Sequence, residues 1–145
     1  MFLDASAVVA ILTREEEAGT LLAKIAGSKT LVHYSSVTMC EAVIAISRKT
    51  AISLYGDQRP TPPELIAQAQ QDVDEFMRSI GAIEVVFPQG LHVAALEVAR
   101  TYGRFVGHPA KLNFGDCFSY AAARVLKLPL LFVGNDFSRT DIEIA

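Results

Sequence analysis

Four carboxylates stand where a globular fold gains little from negative charge: Asp4, Glu41, Asp116 and Asp136. Asp4 follows the apolar run Met1-Phe2-Leu3 and precedes Ala5-Ser6-Ala7-Val8-Val9-Ala10-Ile11-Leu12, which places it between a short strand and a helix. Taken alone it reads as a helix N-cap, because an Asp side chain accepts from the free amides of a first turn. Glu41 lies in the largely apolar stretch from Val37 to Ile46, with no Lys or Arg three or four positions away to pair with it. A carboxylate buried in such a stretch has to be paired or to coordinate a metal. Asp116 flanks a stripe of Phe114, Cys117, Phe118, Ala121, Ala122 and Val125, whose spacing predicts the buried face of a helix. Asn113, three residues earlier, suits an N-cap, and the helix dipole favours an acid at Asp116 in the first turn. Asp136 follows Leu130-Leu131-Phe132-Val133-Gly134-Asn135, where an Asx turn or a cap would also account for it.

Three of the four acids thus have individual structural explanations, and Glu41 does not. Their joint pattern points to a metal site assembled from distant segments. Like charges that close cannot all ionise without compensation, and Mg2+ or Mn2+ prefers carboxylate and water oxygens. The expectation is that Asp4, Glu41 and Asp116 converge to ligating distance, with Asp136 at the edge.

Short buried strands alternating with helices must position these residues, which predicts an α/β fold with a mostly parallel sheet. The expected strands are 1–3, 31–34, 83–87 and 130–133; the expected helices are 6–13, 15–26, 37–49, 63–80, 91–102 and 114–126. Functional groups of open parallel sheets gather beyond the carboxyl ends of the strands, where Asp4 and Asp136 would lie. The turn-rich stretch Tyr55-Gly56-Asp57-Gln58-Arg59-Pro60-Thr61-Pro62-Pro63 reads as a loop within a single domain spanning 1–145, since neither side has enough strands for its own sheet.

With 145 residues, 51% of them hydrophobic and 20% charged, the chain can bury a substantial core. No apolar run reaches the length of a membrane span, and the first residues lack a basic region followed by an apolar signal segment, which predicts a cytoplasmic protein. Cys40 and Cys117 lack C-x-x-C spacing and are expected to be buried reduced thiols. His33, His92 and His108 have no metal-ligand spacing. A net charge of −3 argues against avid, non-specific nucleic-acid binding by the whole surface. A local rim drawn from Arg48, Lys49, Arg59, Arg104, Lys111 and Arg139 would still allow a polyanionic substrate.

Phe2-Leu3-Asp4-Ala5-Ser6-Ala7, the Val-Thr-x-x-Glu helix ending in Glu41, Leu112-Asn113-Phe114-Gly115-Asp116-Cys117-Phe118-Ser119-Tyr120-Ala121 and Gly134-Asn135-Asp136-Phe137-Ser138-Arg139-Thr140-Asp141-Ile142 together resemble the PIN-domain ribonucleases, in particular the VapC toxins of bacterial toxin–antitoxin pairs. The resemblance covers nearly the whole chain, in the family's motif order. It implies a three-layer α/β/α sandwich, a Mg2+- or Mn2+-dependent endoribonuclease, a homodimer and a small VapB-like antitoxin. Carried over by position, Asp4, Glu41 and Asp116 are the core metal-binding acids and Asp136 the more variable fourth. Ser6 and Asn113 match positions that help hold the acids or a water, and Asp141 matches a secondary acid near the site. The stretch from Tyr55 to Pro63 and the helix after it are longer than in compact members.

Three other readings are weighed against this one. A haloacid-dehalogenase-like phosphatase needs a second Asp two residues after the first, where this chain has Ser6. A response-regulator receiver needs an acidic pair after its first strand, a phosphoacceptor Asp and a late Lys. A PIN-like binding module without catalysis would not need all four acids.

Overall fold

The computed structural model describes every residue from Met1 to Ala145. Four two-residue strands, β1 (Phe2–Leu3), β2 (His33–Tyr34), β3 (Ile83–Glu84) and β4 (Leu130–Leu131), form one all-parallel sheet in the order β3-β2-β1-β4. Six helices surround it: α1 (Ala5–Leu12), α2 (Ala18–Ala26), α3 (Ser36–Tyr55), α4 (Pro63–Ser79), α5 (Leu91–Tyr102) and α6 (Phe114–Leu126).

Alternation along the strands divides the interior. Leu3 and Leu131 point into a cluster with Val8, Val43, Ile46 and Val73 from α1, α3 and α4. Phe2 and Leu130 point the other way, into a cluster with Ala95, Val98, Cys117 and Ala121 from α5 and α6. Successive residues of a strand face opposite sides, so four central-strand residues suffice to carry helices on both faces. The result is the expected three-layer α/β/α sandwich, with the sheet parallel throughout.

Five expectations need correction. The strands expected over 31–34, 83–87 and 130–133 shorten to His33–Tyr34, Ile83–Glu84 and Leu130–Leu131. Helix α3 runs on through Thr50-Ala51-Ile52-Ser53-Leu54 to Tyr55, and stops at Gly56, whose φ of 82° is one that side-chain-bearing residues rarely adopt. Helix α2 starts at Ala18, because Glu15-Glu16-Glu17 precede the helix as turn residues. Phe114 is 65% exposed and Val125 49% exposed; the buried residues of α6 are Gly115, Cys117, Ser119, Tyr120 and Ala121 to Ala123. A helix wedged between the sheet, α5 and α3 buries more than one stripe, while its first turn projects past the sheet. Cys117 is buried as expected, but Cys40 is exposed, because Ala42, Val43 and Ile46 take the core-facing side of α3.

Order β3-β2-β1-β4 means that the chain builds outward from β1 in one direction and then returns to its other side. The crevice between the carboxyl ends of β1 and β4 is therefore the topological switch point, where open α/β sheets bind ligands.

Candidate metal centre

At this crevice Asp4 leaves β1 and enters α1. Its amide donates to the Leu131 carbonyl of β4 at 2.9 Å. Its Oδ2 accepts from the Ser6 amide at 2.9 Å and from the Ser6 hydroxyl at 2.6 Å. The same hydroxyl accepts from the Val133 amide at 3.0 Å, so Ser6 joins the ends of both strands and locks the Asp4 carboxylate between them. The capping explanation of Asp4 is thereby realised with one oxygen only. Oδ1 is buried and has no hydrogen-bond partner, which is costly for an anion unless something else satisfies it.

Glu41 is brought alongside by its own helix. The Thr38 hydroxyl, one turn earlier on α3, donates to the Leu3 carbonyl at 3.3 Å, and the Thr38 amide donates to the Ser35 hydroxyl at 3.2 Å. Both side chains are buried. They fix the start of α3 to the end of β1, and the next turn presents Glu41 to Asp4. Neither role was visible in the sequence, although a Thr three residues before an unpaired Glu in an apolar helix is the signal that could have shown it.

Asp116 and Asn113 form a reciprocal capping box at the start of α6. The Asn113 amide donates to Asp116 Oδ2 at 2.7 Å, and the Asp116 amide donates to Asn113 Oδ1 at 3.1 Å. The preceding Gly115 is where α6 meets Glu41. A Cβ on Gly115 would lie 1.9 Å from Glu41 Oε1, 2.0 Å from Oε2 and 2.1 Å from Cδ, so the Glu41 carboxylate occupies the space that any larger residue would fill. The small residue between Asn113-Phe114 and Asp116 is thus part of the site, which the sequence reading did not assign.

Asp4, Ser6, Glu41, Asn113 and Asp116 line one cleft of about 690 Å3. Their charges interact. The Glu41 carboxyl is pushed up to about 7 by burial and by the Asp4 and Asp116 charges. Burial pushes Asp116 up to about 6 with help from Asp4 and Asp136, against the lowering effects of its bond from Asn113 and of Arg104. Asp136 is exposed and precedes a 3-10 turn at Phe137–Arg139 without capping it, so its field reaches the cleft from the rim. The fourth acid in the lining, Glu15, is already neutralised by an ion pair with Lys49.

Asp141 is not in this company. Hydrogen bonds from Tyr120, Tyr102 and Arg124 hold its carboxyl well below the usual range, and with them it lines a separate pocket beside α5 and α6. The expectation of a secondary acid near the site is therefore corrected: Asp141 pins the C-terminal segment to two helices.

The expected convergence of Asp4, Glu41 and Asp116 to ligating distance is corrected: they share a cleft at a wider spacing, and no group of three His, Cys, Asp or Glu residues reaches metal-holding geometry. Drawing three carboxylates onto one ion takes side-chain rotation. In every other respect the donors suit a hard divalent cation. They are all oxygens, Asp4 Oδ1 lacks a partner, Glu41 is cradled on Gly115 without a hydrogen bond of its own, and two of the acids are held in each other's field.

Comparisons with known proteins bear on the family and the fold. A family model described as the PIN domain matches residues 1–143. A VapC ribonuclease of Rhizobium meliloti is 38% identical over 141 residues, covering 97% of this chain and 98% of the relative. Ribonuclease VapC28 of Mycobacterium tuberculosis is 36% identical over 146 residues, covering 100% and 97%. Among solved structures, Mycobacterium tuberculosis VapC20, a sarcin-ricin loop cleaving toxin, superposes with a TM-score of 0.66 at 16% identity, over 99% of this chain and 97% of that one.

Proposed function

This chain belongs to the PIN-domain family, among its VapC ribonucleases, and from that footing we propose that it is a toxin of the VapC kind, a cytoplasmic endoribonuclease dependent on Mg2+ or Mn2+. The observation that carries the reading is the convergence of Asp4, Glu41 and Asp116 from three separate elements on one cleft at the sheet's switch point, with Asp4 Oδ1 left unsatisfied. In this proposal Asp4, Glu41 and Asp116 hold the ion and Asp136 is the rim acid. When bound, the cation supplies Lewis acidity toward a phosphodiester and the water that attacks it. Ser6 keeps the Asp4 carboxylate oriented and spends only one of its oxygens in doing so. Asn113 does the same for Asp116, whose Oδ1 accepts no bond within the protein. No His or Lys is needed as a general base in the lining, and none is present there.

Cleavage of a mixed RNA pool by protein freed of antitoxin is the test. Activity should vanish in excess chelator, return with Mg2+ or Mn2+, and remain poor with Ca2+, whose larger radius and looser coordination suit the chemistry badly. It should also weaken as pH falls through the raised values of Glu41 and Asp116, where protons compete with the ion for the same oxygens. Undiminished cleavage in chelator would end the metallonuclease reading, and cleavage no greater than that of Asp4→Asn purified in parallel would favour a binding module. A phosphate monoester turned over in place of RNA would favour the phosphatase.

The proposed partners are a second copy and a small VapB-like antitoxin that neutralises the cleft. For the second copy, α5, the 3-10 turn Arg104–Val106 and the first turn of α6 expose Leu96, Phe105, Val106 and Phe114 along an apolar groove of about 510 Å3. Contiguous apolar surface rimmed by charge marks an association face. Light scattering should give a dimer at micromolar concentration that Phe105→Asp converts to a folded monomer. A monomeric native protein would remove this assignment.

A further inference from the structure

Arg48 lies two turns beyond Glu41 on α3 and lines the same cleft, yet it pairs with none of the acids there. Its guanidinium turns instead to the segment that follows the helix. Nη1 donates to the Arg59 carbonyl at 2.6 Å and Nη2 to the Asp57 carbonyl at 2.5 Å. These are the only side-chain bonds that reach residues 57–61 from the rest of the protein, and no backbone bond outside regular elements involves them. A planar fork meeting two carbonyls of one turn fixes its orientation as well as its position. The turn is bounded by Gly56, in the left-handed region, and by Pro60, Pro62 and Pro63, so it has few ways to relax once tied. The Arg59 side chain is exposed and has no carboxylate partner.

We propose that Arg48 is a positioning residue that straps the turn 57–59 to the mouth of the acid cleft, where Arg59 forms a phosphate subsite for the RNA strand flanking the cleaved bond. The chemistry is complementary. The cleft is acidic and repels a polyanion, whereas the strapped turn adds an unpaired cation beside it. This gives a role to the proline-bounded segment between α3 and α4, and it rests on the ribonuclease reading above.

Three variants in the complete protein test it: Arg59→Gln, Arg48→Gln and Arg48→Lys. The probe is a labelled single-stranded RNA, with cleavage followed across a salt series and backbone NMR order parameters followed at Asp57, Gln58, Arg59 and Thr61. Arg59→Gln should raise KM about tenfold, as for loss of one charge-assisted contact, with kcat within about twofold. Its dependence of log KM on log salt should be shallower by about 0.7, the slope for one phosphate on a single strand. Arg48→Gln should raise KM similarly and lower the order parameters of these residues. The Lys variant decides between strap and simple charge: it retains the charge but lacks the fork, so it should resemble Arg48→Gln. Rescue of KM by Lys, native order parameters in both Arg48 variants, or an unchanged salt slope in Arg59→Gln would each overturn the proposal while native cleavage continues. Loss of the ribonuclease reading shows differently, as absent metal-dependent cleavage by the native protein, and overturns the phosphate subsite with it; the order parameters still decide the strap.

Discussion

Glu41→Gln is expected to abolish RNA cleavage and, in the same protein, to raise the stability of the metal-free fold at pH 8. The two effects have one cause. Glu41 makes no hydrogen bond that Gln would lose, and its carboxylate sits in the field of Asp4 and Asp116. Removing one electrostatic group from a preorganised site costs about 10²–10³ in rate, so a metal-holding Glu41 should cost at least that. The stability effect follows from proton linkage. Glu41 titrates from 4.5 when unfolded to about 7 when folded, so between those values the folded state binds more protons than the unfolded chain. Stability is then lost as pH rises through that window and stays lower above it. Because the site is partly open to solvent, the shift is worth only about 1–2 kcal/mol after screening. Gln should therefore raise the melting temperature by about 3–7 °C at pH 8, with the gap closing toward pH 5. Asp116, pushed up to about 6, contributes in the same direction and leaves a residual slope in the variant. Calorimetry across pH, in chelator, reads the result. An unchanged or lowered melting temperature at pH 8 would mean that Glu41 is not in a repulsive cluster, and retained cleavage would remove it from the site.

The sequence disclosed the acids but not how they are held. Asp4 was legible because a strand of apolar residues and a helix must meet there, and Glu41 because an unpaired acid is conspicuous in an apolar helix. Both structural explanations offered for Asp4 and Asp116 turned out to hold alongside their place in the cleft. A carboxylate has two oxygens, and here a cap occupies one of them. Ser35, Thr38 and Gly115 escaped notice for a common reason. Their contributions depend on contacts across 35 or more positions, from Thr38, held by Ser35, to Leu3 and from Gly115 to Glu41, and no local periodicity encodes such a meeting. Asp141 shows the opposite failure. The family resemblance placed it near the site, but Tyr102 and Tyr120 draw it into the separate pocket beside α5 and α6. The end of α3 was misread because Arg48-Lys49 resembles a helix terminus, whereas the stop is set by the backbone geometry of Gly56.

Gly115→Ala should produce the signature of Glu41→Gln from a position with no ionisable group. By helix propensity the change is favourable, since Ala is preferred over Gly by about 1 kcal/mol in a helix interior and somewhat less near an end. Gly115 carries no positive φ that would forbid a side chain. The obstacle is the Glu41 carboxylate, whose three terminal atoms lie within 2.1 Å of the new Cβ. Carbon and oxygen cannot share that space, and a terminal carboxylate on a flexible side chain is easier to move than the packed backbone of α6. Glu41 should therefore swing out of the cleft, leaving the fold intact. Cleavage should fall at least about 10²-fold, comparable to loss of a preorganised group. The melting temperature at pH 8 should equal or exceed the native value, and its decline between pH 5 and 8 should flatten as Glu41 reaches solvent and titrates nearer its ordinary value. Combining Gly115→Ala with Glu41→Gln separates displacement from general damage. If the glycine acts only by admitting Glu41, the double variant should be no less active than Glu41→Gln alone, because coupled groups do not lose their contribution twice. Full activity in Gly115→Ala would show that the carboxylate on its surface is not the one on which cleavage depends.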